Sequence, residues 1–222
     1  MNHSGLDEAG AIAEQERLRS LVEPTGDLPP ETRLVAGLDV SYATDADLVV
    51  GAVVVLDLKT LEVVESATAS RPVDFPYLPG LLAFREIPAL LDALDTLKTT
   101  PELLVCDGYG LAHPRRFGLA CHVGVVTGIP AFGVAKTAFI GTSEPPGPNR
   151  GDTSDLMDGD EVIGRVVRTQ REVKPVFVSV GHKIDLARAT SITLKLAATY
   201  RLPQTTRLAD QLSRRVLAAE SA

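Results

Sequence analysis

The chain has no tryptophan, and aromatic residues fill only 5% of its 222 positions. With so few rings, each Tyr or Phe outside an apolar run needs a reason to be there. Cysteine is almost missing too. Cys106 and Cys121 fall in apolar segments at no zinc-binding spacing. They read as buried free thiols in a reducing cytoplasm rather than as a zinc module or a disulfide framework. No run approaches the ~20 apolar residues of a membrane span, so no membrane partner is expected. The opening MNHSGLDEAG lacks the basic start and apolar run of a secretory leader. Positive charge is also in short supply, the net charge being −7. That argues against a broad basic surface coating nucleic acid, but leaves room for a local cationic groove around an acidic, metal-filled centre.

What is present suits a soluble globular chain: 45% hydrophobic and 23% charged residues can build a substantial core. The length fits one domain over 1–222. AIAEQERLRSLV, at about 11–22, has helical spacing and stops before Pro24. Strands are predicted at 33–42, 47–58 and 61–72, separated by short polar breaks that make a meander. A Pro-rich loop (72–80) leads to a helix over 81–97, in which Pro88 predicts a kink or restart. ELLVCDG (102–108) reads as a buried parallel strand. A helix near 116–127, a strand at 131–137, a flexible stretch at 141–160, strands at 161–169 and 176–182, a helix at 185–200 and a polar C-terminal tail follow. This order predicts an α/β, ribonuclease H-like mixed sheet, a three-strand antiparallel meander plus parallel strands, with helices on both faces.

Acidic residues punctuate these elements. In such a sheet Asp39 of the first strand and Asp107 at the end of the 102–108 strand approach each other. Paired carboxylates repel and raise each other's pKa unless a cation neutralises them, and Mg²⁺ suits oxygen ligands of this kind. Each Asp alone reads equally well as a strand-end acid reaching solvent. Glu86, one turn before Leu90, can lean over the sheet and complete an Asp–Glu–Asp set of the sort that cuts phosphodiesters. Lys136 in GVAKT can offset charge on a phosphate, or simply close a strand in solvent. In GHKID, Asp185 reads as a helix N-cap and His182 as a group able to position water or phosphate.

The motifs GLDVSY (37–42), RPVDFPYLPGLLAFREIP (71–88), CDGYGLAHPRRFGLACHVGV (106–125), GVAKT (133–137), VGHKIDL (180–186) and YRLPQTTRLAD (200–210), in this order, resemble the endonuclease V family over nearly the whole chain. The resemblance implies a Mg²⁺-dependent enzyme, with Mn²⁺ able to substitute, that nicks DNA beside deoxyinosine and leaves inosine-containing RNA open as a substrate. It implies that Asp39, Asp107 and Glu86 hold the metal, and that Lys136 and His182 assist at the phosphate. PYLP resembles the family's wedge, with Tyr77 inserted into the base stack between the bracing Pro76 and Pro79. Gly80, Gly108 and Gly110 would let backbone approach the base, and His113 and Arg115 would contact phosphate, with Arg116 a further candidate. A monomer is expected. Two other readings compete: a non-catalytic inosine-binding module on the same fold, and an actin-like phosphate loop at GLDVSY, which would need a second domain.

Overall fold

The computed structural model describes residues 6–26, 28–44 and 47–220. Among them, eight strands form one mixed sheet. β1 (Leu34–Tyr42), β2 (Leu48–Asp57) and β3 (Val63–Pro72) make the antiparallel meander expected from the sequence. β4 (Leu103–Asp107) lies parallel beside β1, and β5 (Ala131–Ala135) parallel beside β4. Beyond them come β6 (Thr153–Asp158), β7 (Glu161–Val167) and β8 (Val176–His182), giving the order β3-β2-β1-β4-β5-β8-β7-β6. β8 pairs with β5 antiparallel.

Side-chain alternation along β1 and β4 builds two cores. Val35, Leu103 and Val105 join Phe132 and Val134 on the face covered by α4 (Leu186–Leu196) and α5 (Gln204–Glu220). Ala36, Leu38, Leu104 and Cys106 face the other way. There they meet Ile87 and Leu90 of α2 (Ala83–Asp95) and Ala120 and Val123 of α3 (Leu119–Thr127). Helices therefore lie on both faces, as the ribonuclease H-like order requires. Cys106 and Cys121 are buried and free. No helix among the described residues is long and apolar enough to cross a membrane.

Several boundaries differ from expectation. The N-terminal helix, α1, spans Glu8–Arg19 rather than about 11–22, because Asp7 caps it by accepting a bond from the Gly10 amide at 2.8 Å. α2 runs through Pro88 without restarting. The stretch 141–160 contains the edge strand β6. The polar C-terminal tail is in fact α5. Its buried stripe is Thr205, Thr206, Ala209 and Ser213, small and mostly polar side chains, with Leu208 and Leu212 packed half-buried against the core beside them. Gly37 admits this helix: a Cβ there would lie 2.2 Å from the Thr205 carbonyl carbon.

Candidate active site

The register of β1 on β4 pairs Leu38 with Cys106, so Asp39 and Asp107 follow as neighbours on the face that α5 covers. Glu86 arrives from the first turn of α2 and is 8% exposed. Burial, then the charges of Asp39 and Asp107, push the Glu86 carboxyl up to about 8. Burial and the charge of Asp107 push Asp39 up to about 7, and Asp210 on α5 adds to that shift. Lys136, just past the end of β5, donates to Asp107 Oδ2 at 2.6 Å. Burial works to lower the Lys136 pKa, but the hydrogen bond and charge of Asp107 outweigh it and the net shift is upward. Among the described residues no three His, Cys, Asp or Glu side chains close into a ready-made metal cage.

A pocket of about 400 Å³ opens beside these acids. Tyr77, Pro79, Gly80, Glu86, Asp107, Gly108, His113 and Lys136 all line it, so eight expected site residues converge there. Its size suits a base-sized ligand. Tyr77 stands at the rim, 69% exposed, and Pro76 is exposed beside it. Gly108 adopts φ +148°, a conformation that favours glycine.

Five residues are placed otherwise than expected. His182 accepts a bond from the Glu23 amide at 3.2 Å and pairs with Ala131, at the start of β5. Lys136 lies past the other end of that strand, roughly 15 Å away at strand rise. The sequence reading placed the end of β8 at the acidic edge; an antiparallel β8 carries it to the opposite edge. Gly110 does not line the pocket. It packs on β8, where a Cβ would lie 1.9 Å from the Val180 carbonyl oxygen. Arg115 is turned inward, donating to Gln15 Oε1 at 2.5 Å and to the Gly80 carbonyl at 2.8 Å, so it braces backbone rather than offering itself to phosphate. Arg116 pairs with Asp158 and Glu161. His113, 4% exposed, lines the pocket but donates inward to Gly80, and burial, then Arg115, hold it down at about 4. A neutral imidazole is no phosphate anchor. Asp185, by contrast, caps α4 as expected.

Sequence reasoning passed over four residues. Asp210 belongs to a motif quoted above but lay in the supposed tail. Arg201 donates to the Lys136 carbonyl at 2.7 Å and so fixes the lysine's loop. Phe139 and Tyr109, ring centroids 5.3 Å apart, form an aromatic wall of the pocket. The scarcity of rings was the signal that could have found both.

Comparison with known proteins places the chain in a family. Residues 16–211 match the family model described as Endonuclease V. The Endonuclease V of Nocardia farcinica is 57% identical over 209 residues, covering 94% of this chain and 92% of the relative. The crystal structure of the Endonuclease V of Streptomyces avermitilis superposes with a TM-score of 0.94 at 54% identity, covering 99% of this chain and 97% of that one. A third, the Endonuclease V of Ciona intestinalis, was solved in complex with DNA containing an inosine followed by a ribo-adenosine. It gives a TM-score of 0.83 at 30% identity over 95% of this chain and 98% of that one. Fold, acidic edge and sequence point the same way, and this chain belongs to the endonuclease V family.

Proposed function

We propose that the chain is a metal-dependent endonuclease that nicks DNA at the second phosphodiester bond 3′ to deoxyinosine, leaving a 3′-hydroxyl and a 5′-phosphate. The observation that carries this reading is the junction of two features. Carboxylates from β1, β4 and α2 crowd beside Lys136, and they open into a pocket rimmed by the exposed Tyr77. The inosine-containing DNA bound by the Ciona relative supports the choice of substrate.

Carboxyls pushed upward by burial and by one another mark negative charge short of a counter-ion, and an all-oxygen donor set fits Mg²⁺, with Mn²⁺ able to substitute. Asp39, Asp107 and Glu86 would hold it, with Asp210 adding charge alongside. When bound, the ion supplies positive charge against what builds on the phosphate oxygens. Lys136, already beside Asp107, can turn its ammonium to the same phosphate. Water adds to phosphorus, the P–O3′ bond breaks, and O3′ leaves with a proton. Tyr77 would fill the stack where the base leaves it, and the pocket walls would shield the extruded base from solvent.

The test is a duplex carrying a single deoxyinosine, end-labelled, with Mg²⁺, Mn²⁺ or EDTA, alongside an undamaged duplex and an inosine-containing RNA. Nicking of the lesion strand with either metal and none in EDTA is expected, with the product mapping to the stated bond. Binding without nicking under both metals would make the chain a non-catalytic inosine-binding module instead.

A further inference from the structure

Gly80 ends the loop that carries Tyr77 and adopts φ +80°. Its carbonyl oxygen faces three side-chain donors: Gln15 Nε2 at 2.9 Å, His113 Nε2 at 3.0 Å and Arg115 Nη2 at 2.8 Å. A carbonyl has two lone pairs, so one partner would have satisfied it and a third is surplus to that need. The three donors are also tied together. Arg115 Nε donates to Gln15 Oε1, and Gln15 Nε2 also reaches the Phe117 carbonyl at 3.1 Å. His113 Nδ1 accepts from the Arg115 amide at 3.2 Å, which places the ring proton on Nε2, where it points at Gly80.

Gln15 is the odd member. The buried stripe of α1 is Ala11, Gln15 and Leu18, and the glutamine at its centre is 1% exposed. An apolar side chain would fill that position without the cost of burying an amide. The same helix supports the base of the loop, because Ala11 packs with Phe75, Leu81 and Phe84. Tyr77 itself is 69% exposed, so its place is set by the loop backbone.

We propose that Gln15, with His113 and Arg115, forms a clamp on the Gly80 carbonyl that holds the Tyr77 loop in the pose able to engage a base in duplex DNA, making Gln15 of the N-terminal helix a positioning residue for lesion recognition. This inference rests on the function proposed above. The clamp keeps the loop ordered before substrate arrives. Releasing it lowers the fraction of molecules ready to bind, and apparent affinity falls by that fraction.

The experiment compares wild type with Gln15→Leu, which keeps the volume and removes both the donor and the acceptor of the side-chain amide, and with Arg115→Lys, which keeps the charge and loses the fork. Amide exchange over 76–82, measured without substrate, should speed up about tenfold while melting temperature stays near wild type. On inosine duplex, KM should rise about tenfold with kcat held, while single-stranded inosine substrate should change little. In a Tyr77→Ala background, Gln15→Leu should add almost nothing, since the wedge it positions is gone. Unchanged exchange with unchanged KM in both variants overturns the clamp. So does an equal loss on single and double strands, or full additivity with Tyr77→Ala. If Gln15→Leu melts far below wild type, Arg115→Lys decides by the same readouts. A wild-type protein that nicks no inosine substrate sinks the proposed function whatever the amides do.

Discussion

At Asp39 a single carboxylate meets like charge from two other elements, Asp107 on β4 and Asp210 on α5, while Glu86 on α2 in turn feels both Asp39 and Asp107. A metal site that depends on all of them should fail when one goes. Asp39→Ala or Asp107→Ala is expected to lower nicking by on the order of 10³-fold or more. Lesion binding should largely persist in a gel-shift assay, because phosphate approaches a less negative edge. Near-normal Mg²⁺-dependent turnover in either variant would refute the metal assignment. Tyr77→Ala should leave that site intact but weaken duplex binding about ten- to a hundredfold, from the 1–3 kcal/mol typical of base–aromatic stacking. Titration of lesion duplex against a single strand checks it, since equal losses on both would make Tyr77 a general contact. Asp39, Asp107, Glu86 and Lys136 were legible because each is a charge at the end, or on the edge, of an apolar element. His182 looked the same in sequence, a polar group closing a strand. Strand direction separates the two cases, and that is decided by pairing across the sheet, not by local residues.

The elements tell a similar story. The meander and β4 could be read because Val-rich runs and short turns leave little choice, while α5 could not. Its fully buried contacts are the small Thr205, Thr206, Ala209 and Ser213, and the larger Leu208 and Leu212 reach the core only half-buried among many charged neighbours, so the stretch reads as polar. Gly37 is the complementary mark on β1, a residue that makes sense only once a helix is known to press on the strand. That gives a prediction. Gly37→Ala must displace α5 backbone, and overpacking of this kind costs roughly 1–3 kcal/mol, measurable by chemical denaturation. Activity should fall further than stability alone explains, since α5 carries Asp210 past Asp39. Wild-type stability and turnover in this variant would show that the helix can shift freely. β6 was missed for a related reason. TSDLMD buries only Leu156, as an edge strand can, and reads as loop.

The whole molecule should report its acidic edge through pH. Asp39 and Glu86 have ordinary values of 3.8 and 4.5 but are held at about 7 and about 8 in the fold. Between those limits the folded chain binds more protons than the unfolded one, so these groups make stability fall as pH rises, levelling off above about 8. His113 acts with the opposite sign between about 4 and 6.5, being held low in the fold. The decline should therefore show between pH 6.5 and 8. Thermal melts in EDTA across that window should move down, Asp39→Asn should flatten the trend, and added Mg²⁺ should recover the loss at the alkaline end. A melting point that climbs with pH in EDTA would contradict the crowding of carboxyls. The packing of α5 on β1 also sets the order in which the molecule can be made. Ser41 and Ser213, 172 residues apart, bring their hydroxyls within 2.8 Å. Contacts so distant along the chain close late and slow folding. During synthesis the central strand and its aspartate leave the ribosome long before the helix that roofs them. Until that helix docks, a nascent chain leaves part of an apolar sheet face uncovered and the acidic edge without Asp210, the kind of exposed surface that favours aggregation.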